Sequence, residues 1–204
     1  MRILAVSQRI DFYSNLNELR DALDQRLVQF LGKAGFHCVP VPNSLSEIFN
    51  NKENLEDLDN WLENINPQGI ILSGGNDIGQ YLSRDLTETR LLEYSKSNQI
   101  PLLGICRGMQ MMARFSKIEL HPVKAHVNCR HSINGEINSI VNSFHNFSIN
   151  DCSNCYKILA RSEDGEIEAI RHLTLPWEGW MWHPERETNF KLMDLNRLKD
   201  LFQK

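Results

Sequence analysis

Short apolar runs alternate with amphipathic stretches along the first half of the chain. The runs predict buried strands of a parallel sheet, and the stretches repeat apolar residues about every three to four positions, as helices do. Strands that alternate with helices indicate a doubly wound, mostly parallel α/β sheet flanked by helices. The predicted elements are a strand at Ile3–Val6, a helix carrying Leu16, Leu19, Leu23, Leu27, Phe30 and Leu31 that ends at Gly32 or Gly35, a strand at Cys38–Val41, a helix around Leu55–Ile65, a strand at Gly69–Leu72, a helix at Thr87–Asn98 and a strand at Pro101–Ile105.

Beyond Ile118 the apolar runs become shorter and polar turns separate them. This texture predicts a smaller antiparallel β portion in the C-terminal half, and the absence of repeats or linkers leads us to expect a single domain over residues 1–204. The elements predicted here are strands at Ile137–Val141, Tyr156–Ala160 and Ile167–Ile170 and a C-terminal amphipathic helix at Asn189–Phe202.

The composition excludes several classes of protein. A hydrophobic content of 41% and a charged content of 24% are typical of a soluble globular protein, and the net charge of −4 gives no basis for nucleic-acid binding. No apolar run approaches the length of about 18 residues that a membrane span requires. Five cysteines, an odd number, suit a reducing cytoplasm. The sequence carries no indication of an oligomeric state.

A cysteine stands between two glycines in Gly104-Ile105-Cys106-Arg107-Gly108, where an apolar strand gives way to a helical pattern. The glycines lack a Cβ, so they allow a sharp turn and a close approach of helix and strand. The helix N-terminus and a nearby histidine would favour the thiolate form of the cysteine. The pattern predicts that Cys106 is a nucleophile, and the alternative is a buried core cysteine.

A histidine and a carboxylate follow a second apolar stretch, Trp180-Met181-Trp182. In extended chain His183 and Glu185 lie on the same face, because side chains alternate with a period of two. The carboxylate then accepts from one ring nitrogen while the other nitrogen faces Cys106. An ordinary histidine at a strand end is the alternative. Combined with the cysteine elbow, the pattern predicts a catalytic triad of Cys106, His183 and Glu185.

These motifs resemble class I glutamine amidotransferase domains. The resemblance rests on the elbow GICRGMQ, on His183-Pro184-Glu185 and on Leu72-Ser73-Gly74-Gly75, and it extends over nearly the whole chain. It is closest to the stand-alone γ-glutamyl hydrolases, which include γ-glutamyl-γ-aminobutyrate hydrolases and the capsule-biosynthesis hydrolases of γ-glutamyl-CDP-amidate. The resemblance implies a flavodoxin-like fold and a small-molecule γ-glutamyl substrate.

Attack by a thiolate on an amide carbonyl creates an oxyanion, which needs at least two N–H donors. We expect one donor from Arg107, the residue after the nucleophile. The other is expected from Gly75 in the Gly74-Gly75 turn, mainly on the strength of the resemblance, and the alternative is a plain strand-to-helix turn.

Gln110 lies one helical turn after Cys106, so both side chains project from the same face. In the resembling domains this glutamine binds the glutamyl substrate. Similarity also implies substrate contacts at Gly74, Ser143 and Phe144, where an ordinary strand end is the alternative for the last two.

Three features bear on the leaving group. The stretch Arg84-Asp85-x-x-Glu88 matches the hydrolase branch, either as a substrate feature or as the polar start of a helix. Where family members often carry a Gly-Gly pair after the elbow helix, this chain has Phe115-Ser116-Lys117-Ile118, which changes the pocket wall. The basic residues that could contact a phosphate-bearing leaving group, or simply be solvated surface charges, are Arg107, Lys124, Arg130 and Arg186.

We therefore expect cysteine-dependent hydrolysis of a γ-glutamyl amide through a γ-glutamyl thioester, with γ-glutamyl-CDP-amidate implied as a substrate that yields cytidine diphosphoramidate. One alternative is a glutaminase subunit that supplies ammonia to a separate synthetase. A second alternative is a redox-sensing protein without catalysis.

We expect no cofactor and no metal, because the thiolate already serves as the nucleophile. The only Cys-x-x-Cys, Cys152-Ser153-Asn154-Cys155, has no second pair at ligand spacing. The histidines at 121, 126 and 131, with Cys129, fall in an expected loop, and the sequence assigns no role to His126, His131 or His145.

Overall fold

Nine strands form one continuous sheet in the computed structural model, which describes residues 2–49, 52–152 and 154–203. Helices lie on both faces of this sheet, and the chain also forms three separate two-stranded sheets. The strands are β1 (Arg2–Ser7), β2 (Arg9–Tyr13), β3 (Glu18–Ala22), β4 (Phe36–Val41), β5 (Glu47–Phe49), β6 (Lys52–Asn54), β7 (Gly69–Leu72), β8 (Leu102–Ile105), β9 (Leu120–Pro122), β10 (Val127–Gly135), β11 (Ser139–Phe144), β12 (Phe147–Ile149), β13 (Tyr156–Ser162), β14 (Ile167–His172) and β15 (Trp177–Trp180). The helices are α1 (Gln25–Ala34), α2 (Glu56–Ile65), α3 (Leu82–Asn98), α4 (Arg107–Phe115) and α5 (Leu192–Phe202).

The strand order of the large sheet is β11-β10-β13-β14-β15-β8-β7-β1-β4. The five strands from β15 to β4 pair in parallel, whereas the pairs from β11 to β15 are antiparallel. Numbered along the chain, the parallel strands follow the flavodoxin-like order 2-1-3-4-5. The predicted fold class is confirmed, and the antiparallel portion continues the same sheet.

Each parallel strand sends alternate side chains to the two faces. In β1, Leu4 and Val6 pack with α1 and α5, and Ala5 packs on the opposite side with α2, α3 and α4. In β7, Ile71 packs on the face covered by α1 and α5, and Ile70 and Leu72 pack on the face covered by α2, α3 and α4. Full burial of each such aliphatic side chain stabilises the fold by roughly 1.5–3 kcal/mol. Both faces of the parallel half are therefore dry, as the continuous apolar runs predict.

The first helix is shorter than predicted. Leu16 and Leu19 belong to the hairpin of β2 and β3 and are 57% and 62% exposed, whereas α1 begins only at Gln25. Asp24 caps α1 by accepting a hydrogen bond from the backbone N–H of Arg26, and Gly35 ends it with a φ of 94°. Leu16, Leu19 and Leu23 have the three-to-four-residue spacing of a helix, but here Leu16 lies in the hairpin turn and Leu19 in β3.

Other predicted elements are present with shifted ends. Helix α3 begins at Leu82 rather than Thr87, strand β11 runs from Ser139 rather than Ile137, and α5 begins at Leu192 rather than Asn189. Strand β10 escaped prediction because its residues, VNCRHSING, show no clear apolar alternation. In the part of the chain that the structure describes, no helix combines the length and apolar composition needed to cross a membrane.

Helix α4 packs directly against the ends of β7 and β8 because two glycines leave room for it. A Cβ on Gly108 would lie 2.2 Å from the carbonyl oxygen of Leu72, and one on Gly104 would lie 2.6 Å from the carbonyl carbon of Gly108. Gly104 and Gly108 are therefore needed for close approach, and the strained turn itself falls on the residue between them.

The substitution Gly108→Ala is expected to destabilise the fold by roughly 1–3 kcal/mol, because the new methyl group must push α4 away from β7. Urea denaturation measures the change. The matched control is Gly32→Ala on α1, where a Cβ meets nothing within 4 Å, and where the substitution should stabilise by roughly 0.5–1 kcal/mol. Equal unfolding midpoints for Gly108→Ala and the wild type would contradict this account of the elbow.

Candidate active site

Cys106 occupies the turn from β8 into α4 in a conformation that residues with side chains rarely adopt. Its φ is 50° and its ψ is −105°. Its backbone N–H donates to the carbonyl of Trp180 at 2.7 Å, and its carbonyl accepts from the N–H of Gln110 at 3.1 Å. Such backbone strain persists only where the surrounding structure imposes it, and it is typical of nucleophile elbows. The thiol is thereby fixed at the start of a helix, at the carboxyl edge of the sheet.

His183 and Glu185 form a direct pair, with 2.7 Å between the imidazole Nδ1 and the carboxylate Oε1. Strand β15 ends at Trp180, and the residues Pro184–Arg186 form a short 3₁₀ turn. The pair therefore results from a turn, and the period-two geometry expected from the sequence is wrong. Because Nδ1 faces Glu185, Nε2 is the nitrogen left for Cys106.

The position of His183 is fixed from three sides. Asn142 accepts from the backbone N–H of His183 at 3.0 Å and donates to its carbonyl at 2.8 Å. A Cβ on Gly74 would lie 2.5 Å from the ring carbon Cε1, so only glycine allows the ring this place. The ring of Phe144 meets the imidazole edge-on, with centroids 5.8 Å apart. No role was predicted for Asn142, although a polar residue inside a buried strand is a signal of such a role.

The electrostatics of the pair favour a protonated imidazole. Burial opposes the charge on His183, but the negative charges of Glu185 and Cys106, with a side-chain hydrogen bond to each, outweigh it and raise the pKa of His183 to about 10. The site thus stabilises an imidazolium between an acidic partner and the cysteine sulfur.

The Gly74-Gly75 turn at the end of β7 is clamped by a buried arginine. Arg84 donates through Nη2 to the carbonyl of Ser73 at 2.9 Å and to that of Gly74 at 3.0 Å. Gly75 has a φ of 128°, and a Cβ there would lie 2.7 Å from Nη1 of Arg84. The turn therefore requires glycine, and Arg84 fixes the two carbonyls that precede Gly75.

Arg107 has two separate environments. As the first residue of α4 it carries a backbone N–H with no acceptor one turn earlier in the helix. Its side chain is buried and forms ion pairs with Asp85 and Glu88. The guanidinium is therefore held by buried ion pairs, which matches neither of the two alternatives considered from the sequence, a contact with a leaving group or a solvated surface charge. Asp85 and Glu88, left open by the sequence, belong to this buried network.

Gln110 lines a cavity of about 540 Å³ beside α4. Its Nε2 donates to the carbonyl of Phe147 at 3.0 Å, and Asp77 and Ile78 line the same cavity. The hydroxyl of Ser143 is buried and donates to the carbonyl of His126 at 2.6 Å, so it turns away from a substrate. Any contact from Ser143 would have to come from its backbone.

A second cavity, of about 270 Å³, is lined by His183 and the Gly74-Gly75 turn. Two arginines, Arg9 and Arg186, and two carboxylates, Asp24 and Glu185, also line it, and Arg9 pairs with Asp11 at 3.0 Å. The guanidinium of Arg186 stacks over the ring of Phe144, 4.5 Å from the centroid. Arg9 was not singled out from the sequence, because nothing in the strand pattern brings it to the site.

The remaining basic candidates lie elsewhere. Arg130 pairs with Glu187 at 3.1 Å, and Lys124 is exposed on the loop before β10. Neither residue lines the two cavities described above.

Comparison with known proteins identifies the family. A family model described as class I glutamine amidotransferase matches residues 16–196. A γ-glutamyl-CDP-amidate hydrolase from Campylobacter jejuni subsp. jejuni serotype O:2 is 37% identical over 141 residues, which cover 66% of this chain and 70% of the relative. A glutamine-hydrolysing GMP synthase subunit from Methanothrix thermoacetophila is 31% identical over 134 residues, which cover 61% of this chain and 70% of the relative.

Two solved structures share the fold. A protein described as a GMP synthase subunit, from Thermoplasma acidophilum, aligns with a TM-score of 0.74 at 18% identity, covering 100% of this chain and 93% of the other. A glutamine amidotransferase from Thermotoga maritima aligns with a TM-score of 0.60 at 15% identity, covering 99% of this chain and 82% of the other. With the family model matching most of its length, this chain belongs to the class I glutamine amidotransferase family.

Proposed function

We propose that the protein hydrolyses a γ-glutamyl amide bond with Cys106 as the nucleophile and releases L-glutamate. Membership of the family makes the protein a hydrolase of carbon–nitrogen amide bonds. The observation that carries the finer proposal is the strained elbow at Cys106 together with the carboxylate-held imidazole of His183, whose pKa is raised by both Glu185 and Cys106.

In the first half of the reaction, the thiolate of Cys106 attacks the γ-carbonyl carbon. The carbonyl oxygen becomes an oxyanion, for which the backbone N–H groups of Arg107 and Gly75 are the proposed donors; loss of one such donor typically costs about 3 kcal/mol of transition-state stabilisation. His183 then gives its proton to the departing nitrogen, the carbon–nitrogen bond breaks, and a γ-glutamyl thioester remains on Cys106.

In the second half, the neutral His183 takes a proton from water, and the resulting hydroxide attacks the thioester. The carbon–sulfur bond breaks, glutamate leaves, and the thiolate and imidazolium are restored. Glu185 holds the ring in one orientation through Nδ1 and stabilises the imidazolium in each half. Gln110 and the backbone at Ser143 and Phe144 are proposed to hold the glutamyl group, whereas Gly74 makes room for the imidazole.

For the leaving group, we propose a phosphate-bearing conjugate such as γ-glutamyl-CDP-amidate, which would give cytidine diphosphoramidate. The support is the likeness to the Campylobacter hydrolase and the two guanidinium groups, those of Arg9 and Arg186, that line the same cavity as His183. Guanidinium groups bind phosphate oxygens through paired hydrogen bonds. A role in capsule biosynthesis stays a prediction.

A glutaminase subunit remains the second candidate, and the likeness to glutamine-hydrolysing GMP synthase subunits favours it. In that case the leaving group is ammonia, and a separate synthetase would accept it. We further propose that residues 1–204 act as one domain in the cytoplasm, since one sheet uses strands from both halves and the cysteines of the described residues are free thiols.

The first prediction concerns the nucleophile. Cys106→Ser is expected to abolish glutamate release while leaving the urea unfolding midpoint close to that of the wild type. Brief treatment with iodoacetamide at neutral pH, followed by peptide mass spectrometry, should find Cys106 labelled first. Burial raises the pKa of Cys38 and of Cys152 to about 11, so both thiols should react slowly. Labelling of Cys38 or Cys152 ahead of Cys106 would overturn the assignment.

The second prediction concerns pH. Because the pKa of His183 is raised to about 10, the imidazole keeps its proton below that pH and loses it above. The kcat/KM for glutamate release should therefore decline only as the pH rises through about 10, whereas alkylation of Cys106 continues. Glu185→Gln removes a charge that raises this pKa, so the decline should move to lower pH.

The control for the pH profile is Glu166→Gln, which alters a carboxylate bonded to His121 outside the site. Its profile should match that of the wild type. A wild-type decline centred near the ordinary histidine pKa of about 6.5 would show that the site does not raise the pKa of His183.

The third prediction concerns the leaving group. An enzyme that uses binding energy from its leaving group loses kcat/KM when that group shrinks to ammonia. Glutamine should therefore be a poor substrate and a phosphate-bearing γ-glutamyl amide a much better one. Arg186→Ala should lower kcat/KM for the phosphate-bearing amide by about ten-fold or more, with a smaller effect on glutamine.

The matched control is Lys124→Ala, an exposed basic residue away from both cavities, and it should leave the preference between the substrates as it is. Efficient glutamine hydrolysis that rises further when a synthetase is added would instead establish the glutaminase subunit.

A further inference from the structure

Three histidine rings and one carboxylate meet inside the antiparallel half of the sheet. His126 precedes β10, His131 lies within β10, His145 follows β11, and Glu168 lies on β14. Glu168 is fully buried, and His145 and His126 are 2% and 3% exposed. We call these four residues the histidine cluster. None of them belongs to the proposed triad.

One carboxylate oxygen is the focus of the cluster. Oε1 of Glu168 lies 3.3 Å from Nε2 of His131, 3.3 Å from Nε2 of His145 and 3.5 Å from Nδ1 of His126. Nδ1 of His126 and Nε2 of His145 are 3.1 Å apart. One ligand atom from each of His126, His131 and Glu168 lies within 4.8 Å of the other two, and zinc binds nitrogen and oxygen ligands at about 2.0–2.2 Å.

In His145 and His126, the ring nitrogen that points away from Glu168 donates a hydrogen bond to another group. Nδ1 of His145 lies 3.0 Å from the carbonyl of Phe147, and a carbonyl can only accept, so this nitrogen carries a proton. Nε2 of His126 lies 2.9 Å from the carboxylate Oδ2 of Asp164. Outer partners of this kind, a backbone carbonyl and a carboxylate, fix the tautomers of metal-binding histidines.

With those tautomers, Nδ1 of His126, Nε2 of His145 and Oε1 of Glu168 face one another; without a metal, the hydrogen bonds of His126 to Glu168 and Asp164 raise its pKa to about 9, so that its own proton lies among them. Three acceptors within 3.5 Å repel one another unless a positive charge lies among them. In the described residues, Oε2 of Glu168 is also buried without a hydrogen-bond partner, and Nε2 of His131 has only the ion-pair contact at 3.3 Å to Oε1 of Glu168. A divalent cation would satisfy these groups together.

We propose that the histidine cluster binds a divalent transition metal, with zinc as the best match, through His126 Nδ1, His131 Nε2, His145 Nε2 and Glu168 Oε1. Imidazole nitrogen with one carboxylate oxygen is a donor set that suits zinc. Four protein ligands close a tetrahedral coordination shell, so the site is structural. The proposal replaces the expectation, drawn from the sequence, that the protein has no metal.

The metal would fix the wall of the substrate site. His145 follows directly after Phe144, which packs on His183, and its ring bonds the same Phe147 carbonyl that accepts from Gln110. His126 provides the carbonyl that accepts from Ser143. The cluster thereby cross-links β10, β11 and β14 at the place where the glutamyl group is proposed to bind.

The experiment measures metal binding without relying on activity. The protein is prepared without a histidine tag and in the Cys106→Ala background, because Cys106, His183 and Glu185 could themselves bind zinc. After chelation and dialysis, Zn²⁺ alone is titrated by calorimetry and Co²⁺ alone by visible absorption. We expect one equivalent of each metal, with the intense visible bands of four-coordinate Co²⁺ and a higher melting temperature.

Variants then locate the metal. His131→Gln, at a partly exposed position, and Glu168→Gln should lose more affinity than the roughly 10–100-fold expected for Asp164→Asn, which removes only an outer partner. His121→Gln is the matched control, since His121 bonds Glu166 outside the cluster, and it should bind normally. Absence of saturable binding in a folded protein, or equal binding by His131→Gln and His121→Gln, would overturn the proposal in favour of protonated histidines around Glu168.

Discussion

One buried carboxylate, Glu88, connects the three strand ends from which the site is built. It accepts from the hydroxyl of Ser7 at the end of β1 and from Arg84, whose guanidinium holds the turn after β7. It also pairs with Arg107, which begins α4 after β8. Removing one member of such a buried network leaves an uncompensated charge, at a cost of about 3–5 kcal/mol. The network lies at the edge where the strand order reverses, so a structural ion cluster also sets the distance between the elbow and the glycine turn.

The sequence predicted those parts of the molecule that depend on local pattern. The apolar runs located the parallel strands, and the glycines around Cys106 located the elbow, because both signals act within a few residues. Contacts between distant segments left no such signal. Asn142 and Arg9 reach the site only because strands and loops far apart in the chain come together. The His183–Glu185 pair was expected from the alternation of side chains along a strand, whereas the structure forms it in a 3₁₀ turn.

The parallel and antiparallel halves of the sheet contribute different parts of the site. The parallel half carries the elbow, the glycine turn and the strand that leads to His183, and its helices bury both faces. The antiparallel half brings Asn142 and Phe144 against His183 and contains the histidine cluster. His183, the proposed acid and base, follows the last parallel strand and is oriented by residues of the antiparallel half, so the buried interior of that half affects the geometry of the imidazole.

The hairpin of β2 and β3 forms its own two-stranded sheet, and its ends, at Arg9 and Ala22, line the same cavity as His183. The strands that carry the cysteine and the histidine pair with other partners. Insertions and substitutions in the hairpin can therefore accumulate over evolution without disturbing the register of the large sheet. Relatives that differ in this peripheral hairpin could in this way differ in the shape and charge of the cavity beside His183, while the elbow and the large sheet are inherited unchanged.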